Sequence, residues 1–168
     1  MSRQVDLEEF TDFVVGAQSK MVRLAELLTG DRDRAEDLAQ EGFARAFAAW
    51  RRVRTDPAAY VRRCIVNANT DWWRRRTWRE RPHSTVPDRP DPADLPEQAA
   101  VARDAVLRAL AKLTARERAV LALRFYMDLS EVQISAELGI ARGTVKSTVA
   151  RALGKLRADA GLRSEATS

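Results

Sequence analysis

The sequence predicts an all-α protein: two small helical domains joined by a proline-rich linker, the C-terminal one a helix-turn-helix. Three observations predict it. Apolar residues recur at three- and four-residue steps over long stretches, which is the period of an amphipathic helix. No segment shows the strict alternation of a half-buried strand. Residues 81–96, RPHSTVPDRPDPADLP, hold five of the six prolines. Such a run lacks the backbone donors for a helix and the apolar content for a core. The 168 residues therefore divide into a domain over 1–80, a flexible linker over 81–96 and a domain over 97–168. At 45% hydrophobic the chain has enough apolar residues for packed cores.

Upstream of the linker, Leu7, Phe10, Phe13, Val14 and Ala17 mark a first helix. It continues through Met21, Leu24 and Leu28 until Thr29-Gly30-Asp31 breaks it. A second helix carries Ala35, Leu38, Ala39, Phe43, Ala46, Phe47 and Trp50 on one stripe. After a short loop, Asp56-Pro57 reads as a cap followed by proline in the first turn of a helix. This third helix places Val61, Cys64, Ile65, Ala68 and Trp72 on one side. Downstream, Thr114-Ala115-Arg116-Glu117 is a capping box before Val120, Leu121 and Leu123, and Ser130-Glu131-Val132-Gln133 is a second. The second box opens a short helix with Ile134 and Leu138; Gly139 ends it, Ile140 fills the turn, and the next helix begins near Ala141-Arg142-Gly143-Thr144. Two helices joined by a tight glycine turn form a helix-turn-helix whose second helix is placed for the major groove.

The composition narrows the chemistry. The chain is 32% charged with a formal net charge of +5, a balance that favours a polyanion, either nucleic acid or a membrane surface. One cysteine, Cys64, and one histidine, His83, leave no internal disulfide and no expectation of a transition-metal site. No phosphate-cradling glycine loop or nucleophile motif is present, so neither a cofactor nor a catalytic residue is expected. The first residues, MSRQVDLEEF, put acids where a signal peptide has its apolar core. No apolar run approaches the roughly 20 residues that span a bilayer. A cytoplasmic protein without membrane insertion is the expectation.

Three surfaces stand out. From Ala141 to Arg157 the last helix carries Arg142, Lys146, Arg151, Lys155 and Arg157 and no acid. With Val145, Val149 and Leu153 facing the core, Arg142, Thr144, Lys146, Ser147, Ala150 and Arg151 remain outside, a mix suited to base edges and phosphates. The competing reading is a solvated basic helix. Between Arg51 and Arg81 ten arginines face Asp56, Asp71 and Glu80, with Tyr60, Trp72, Trp73 and Trp78 interleaved. Aromatic faces beside guanidinium groups suit a single-stranded nucleic acid. An amphipathic membrane helix is the alternative, although Asn67, Asn69 and Asp71 interrupt its apolar face. From Pro57 onward, Tyr60, Arg63, Asn67 and Arg74 fall on a stripe next to the inner one. Finally, Asp31, Asp33, Glu36, Asp37 and Glu41 form an acidic stretch, which is either a docking face for a basic protein or a solvated surface.

In their order, these segments resemble the extracytoplasmic-function group of bacterial sigma factors over nearly the whole chain. Ala35-Glu36-Asp37-Leu38-Ala39-Gln40-Glu41-Gly42-Phe43 is similar to the polymerase-docking motif, and the resemblance implies that Asp37, Gln40 and Glu41 grip the β′ clamp. Asp56-Pro57-Ala58-Ala59-Tyr60-Val61 through Arg74-Arg75-Arg76 is similar to the segment that melts and reads the −10 element. The resemblance gives base capture to the loop Val53-Arg54-Thr55-Asp56 and contact with the unpaired strand to Asn67. Leu113 to Arg118 and Leu138 to Ser147 resemble the −35-reading domain, which places Lys146, Ser147, Ala150 and Arg151 at major-groove positions. The implied −10 contacts are then Arg54, Asp56, Tyr60, Arg63, Asn67 and Arg74, and the −35 contacts Arg142, Thr144, Lys146, Ser147 and Arg151. The implied partners are core RNA polymerase, through its β′ clamp and β flap, promoter DNA and an anti-sigma factor. A stand-alone helix-turn-helix regulator is the main rival; that class usually couples the motif to a sensory α/β domain, and the N-terminal block shows no strands.

Overall fold

Helix ends in this chain are set by local hydrogen bonds that the sequence encodes. In the computed structural model, which describes residues 3–79 and 96–166, α1 (Arg3–Thr29) stops where Gly30 takes a φ of +72°. Its N–H still donates to the Glu26 carbonyl at 2.8 Å. Asp31 then caps α2 (Arg32–Ala48), accepting from the N–H groups of Asp33 and Arg34 at 3.0 and 3.3 Å, which satisfies donors that have no partner inside the helix. A one-turn helix, α3 (Trp50–Val53), and α4 (Pro57–Arg79) complete the first unit. The expected linker lies outside the described residues apart from Pro96, and His83 lies outside them with it.

The chain falls into two compact units, Met1–Arg89 and Pro90–Ser168. In the first, α1, α2 and α4 pack on one another around Met21, Leu24, Leu28, Ala35, Ala39, Phe43, Ala46, Val61 and Ile65. Gly42 lets α2 and α4 approach closely: a Cβ there would stand 3.1 Å from Val61 Cγ1. Phe10 and Phe13 meet Trp50 with ring centroids 5.3 and 5.8 Å apart.

The inner stripes differ in register from expectation. Leu7 and Phe47 are 46% and 48% exposed rather than core, although the Phe47 ring still lies 4.8 Å from that of Phe10. Trp50 belongs to α3, not to the second helix, and Val53 is buried there, so the loop before α4 shrinks to Arg54-Thr55-Asp56. On α4 the buried positions are Ala59, Val61, Ile65, Val66 and Asn69, with Cys64, Ala68 and Trp72 only half-buried.

The second unit holds α5 (Glu97–Ala111), α6 (Ala115–Leu121), a π-helical turn (Ala122–Tyr126), α7 (Glu131–Leu138) and α8 (Arg142–Ala166). Both predicted capping boxes form, at Thr114/Glu117 and Ser130/Gln133. Gly139 closes α7 in the left-handed region, φ +65°, where a side chain would be strained. Helix α5 and the π-helical turn were not anticipated by periodicity. On α8 the fully buried row is Val145, Thr148 and Ala152, whereas Val149 and Leu153 stand half-exposed at its edge. Thr148 is tolerated inside because its hydroxyl donates to the Thr144 carbonyl at 2.6 Å, so that buried hydroxyl is satisfied.

Candidate functional site

The expected docking residues Asp37, Gln40 and Glu41 all lie exposed on α2, and its other side buries Ala35, Ala39, Gly42, Phe43 and Ala46. Two ion pairs run along the helix, Arg32–Glu36 at 2.8 Å and Arg45–Glu41 at 2.5 Å. Such exposed pairs contribute little to stability. They do divide the expected docking residues: Glu41 is already paired, whereas Asp37 and Gln40 have no side-chain bond among the described residues. Phe47, on the apolar stripe of the sequence, lies seven residues beyond Gln40 on the same helix and is exposed.

The loop Arg54-Thr55-Asp56 is exposed throughout. Asp56 has a structural task there, since its carboxylate accepts from the Ala59 N–H at 3.2 Å and caps the start of α4. Along α4, Arg63, Asn67 and Arg74 are exposed and Tyr60 is half-buried. Asn67 makes no bond among the described residues. Its near neighbour Asn69 is 3% exposed, so two asparagines that look alike in the sequence lie on opposite sides of the helix. The Trp72 ring carries the Arg34 guanidinium 3.2 Å from its centroid and meets Trp73 edge-on at 4.9 Å. Trp72 is thereby tied to α2. The side chains of Arg76, Trp78 and Arg79, and all of Glu80 and Arg81, lie outside the described residues. Burial pushes the Cys64 thiol up, against the charge of Arg45 and a hydrogen bond with Tyr60. A thiol so held is a poor nucleophile.

In the second unit the turn is built around Ser135. Its carbonyl accepts from the N–H groups of Gly139 and Ile140, and its hydroxyl donates to the Ile140 carbonyl at 2.5 Å. This fixes α8 relative to α7. Arg142, Lys146, Ser147 and Arg151 project outward from α8, and Thr144 is half-buried. Arg142, Lys146 and Arg151 have no ion-pair partner among the described residues. Lys155 is different: its Nζ donates to both carboxylate oxygens of Glu117 at 2.9 and 3.0 Å. Burial pushes the Glu117 carboxyl up, but the hydrogen bonds from Lys155 and the Thr114 N–H, with the charges of Lys155 and Arg151, outweigh it and hold the carboxyl below its ordinary value. Lys155 therefore clamps α8 to α6, and Lys112 pairs with Asp159 further along. Among the described residues no helix is long and apolar enough to cross a membrane.

Comparison with known proteins agrees with these two helical units. The family described as Sigma-70 region 2 matches residues 14–79, and that described as Sigma-70, region 4 matches residues 109–158. The RNA polymerase sigma-E factor of Streptomyces coelicolor is 36% identical over 151 residues, covering 89% of this chain and 84% of that one. The ECF RNA polymerase sigma factor SigL of Mycobacterium tuberculosis is 34% identical over 142 residues, 80% of this chain and 79% of that one. Among solved structures, the sigma factor RpoE in complex with the anti-sigma factor NepR from Bartonella quintana matches with a TM-score of 0.67 at 23% identity. The match covers 89% of this chain and 95% of that one, and it supports the fold. The chain belongs to the extracytoplasmic-function group of RNA polymerase sigma factors, the non-catalytic initiation factors that direct promoter-specific transcription.

Proposed function

We propose that the two units divide promoter recognition between them. The first, over 1–80, docks on core polymerase through Asp37, Gln40 and Glu41 at the β′ clamp. It opens and reads the −10 element with Arg54, Asp56, Tyr60, Arg63, Asn67 and Arg74. The second, over 97–168, meets the β flap and reads the −35 element with Arg142, Thr144, Lys146, Ser147 and Arg151. Residues 81–96 link the two. The protein acts in the cytoplasm, catalyses nothing itself, and answers to an anti-sigma factor, a kind of partner that RpoE of Bartonella quintana is named with.

The observation that carries this reading is the division of α8 into two faces. Val145, Thr148 and Ala152 are buried. On the exposed side Arg142, Lys146 and Arg151, which form no ion pair among the described residues, flank Ser147. Arg151→Ala in the reconstituted holoenzyme is the test. It is expected to weaken promoter binding and to flatten discrimination at one −35 position, by about 1–3 kcal/mol for a lost bidentate base contact. If Arg151 meets only phosphate, all sequences weaken alike and the salt slope falls by about one unit. Unchanged binding on both measures would remove α8 from the groove.

A further inference from the structure

The side of α8 that faces away from the core is bare along its centre. At about 100° per residue, Gly143, Ser147, Ala150 and Gly154 form one line, and all four are exposed. The buried row Val145, Thr148 and Ala152 lies on the opposite side. Lys146 flanks the line on one side and Arg151 on the other, both exposed. Glycine weakens a helix relative to alanine, so two glycines on one exposed line need a reason. Packing inside the protein supplies none, because a Cβ built on Gly143 or Gly154 meets nothing within 4 Å. The one polar group on the line, the Ser147 hydroxyl, donates to the Thr144 carbonyl at 3.1 Å, so it presents an acceptor outward.

We infer that this bare line is the part of α8 closest to the bases, and that the Ala150 methyl group determines specificity there by apolar contact with the C5 methyl of a thymine. The inference rests on α8 being the helix that enters the major groove. In that groove the thymine methyl is the one apolar feature among donors and acceptors. A side chain as short as alanine reaches it only when the helix backbone comes close, and the missing side chains at 143 and 154 permit that approach. The flanking Lys146 and Arg151 then reach to either side of the line, toward guanine edges or phosphates. One base pair of the element is thus read by a methyl group rather than by a hydrogen bond.

The test uses holoenzyme made from the full chain and core polymerase. It first selects its element from promoter duplexes randomised across the −35 region. The selected duplex is then remade with deoxyuridine, which lacks only the C5 methyl, at each thymine in turn. One thymine is expected to be sensitive, its replacement weakening binding about three- to five-fold, the worth of one buried methyl. The same replacement is expected to leave binding by Ala150→Gly holoenzyme unchanged. Each protein is compared with itself on two duplexes, so any loss of helix stability in the variant cancels. A selected element without thymine on either strand, indifference of the wild type to deoxyuridine, or equal sensitivity in the Ala150→Gly variant would each overturn the inference. Failure of the underlying reading has a different signature, in which Lys146→Ala and Arg151→Ala also leave duplex binding unchanged.

Discussion

Glu117 is 2% exposed and Lys155 has 45% of its side chain in solvent, so their pair joins a buried acid to a wet cation. The folded carboxyl is held below its ordinary value of 4.5. Its contribution to stability is therefore complete above that value and is lost as the pH falls through the lower folded one. Lys155→Met is expected to destabilise the second unit by about 1.5–3 kcal/mol near neutral pH, the range for hydrogen bonds to charged groups. The gap from wild type should narrow as the pH falls below 4.5 and close once it has passed through the lower folded value, where both proteins hold a neutral carboxyl. Denaturant unfolding over a pH series measures this, and a gap that stays constant in acid would assign the loss to packing instead. Asn67 makes the opposite case, an amide that the fold does not use. Asn67→Ala should change stability by less than about 0.5 kcal/mol and leave core binding intact, yet slow opening of duplex promoters. Permanganate reactivity of thymines near the start site reports it, with a premelted −10 bubble restoring the part due to melting. Equal reactivity of wild type and variant on duplex DNA would make Asn67 a bystander. Periodicity alone could not separate Asn67 from Asn69, because which edge of α4 turns inward depends on where α1 and α2 pack against it.

At the scale of elements, the acidic face of α2 is built to survive charge reversal. Asp37 and Glu41 point away from the row Ala35, Ala39, Gly42, Phe43 and Ala46, so Asp37→Lys with Glu41→Lys should leave the fold in place. Affinity for core polymerase is expected to fall by about 2–5 kcal/mol if the partner's charges are desolvated in the complex. A binding titration against core polymerase that shows no change would take docking away from this face. The elements that escaped sequence reading did so for physical reasons. Helix α5 is rich in alanine and exposes Val101 and Val106 while burying only Leu110, so it has no single apolar stripe to detect. In the π-helical turn the backbone departs from the 3.6-residue period on which such detection depends. The turn leaves Phe125 61% exposed, and Asp128 follows it at φ +57°. Helix α3 is hidden in the sequence because Trp50 continues the apolar stripe of α2, whereas the chain turns at Ala49 to bring the indole against Phe10 and Phe13. Capping boxes and glycine stops were legible because each depends only on residues within a few positions of one another.

For the molecule as a whole, the proposed division of labour rests on two helical units in one chain, one matching Sigma-70 region 2 and the other Sigma-70, region 4. The helical class and the recognition turn could be read from the sequence because hydrophobic period, proline run and caps all pointed the same way. The candidate contact residues could be placed on faces but not assigned tasks by pattern alone. Asp56 does cap α4 as the Asp56-Pro57 pair implies, whereas Lys155, in sequence one more cation of the basic helix, clamps α8 to α6. Promoter-directing activity is measured most directly by transcription with core polymerase stripped of sigma factors, with and without the full chain, on genomic DNA with the 5′ ends mapped. Discrete start sites that share upstream elements, and that appear only when the chain is added, are the predicted result. The contradicting result is a chain that binds DNA but alters transcription only when the polymerase already carries a sigma factor of its own.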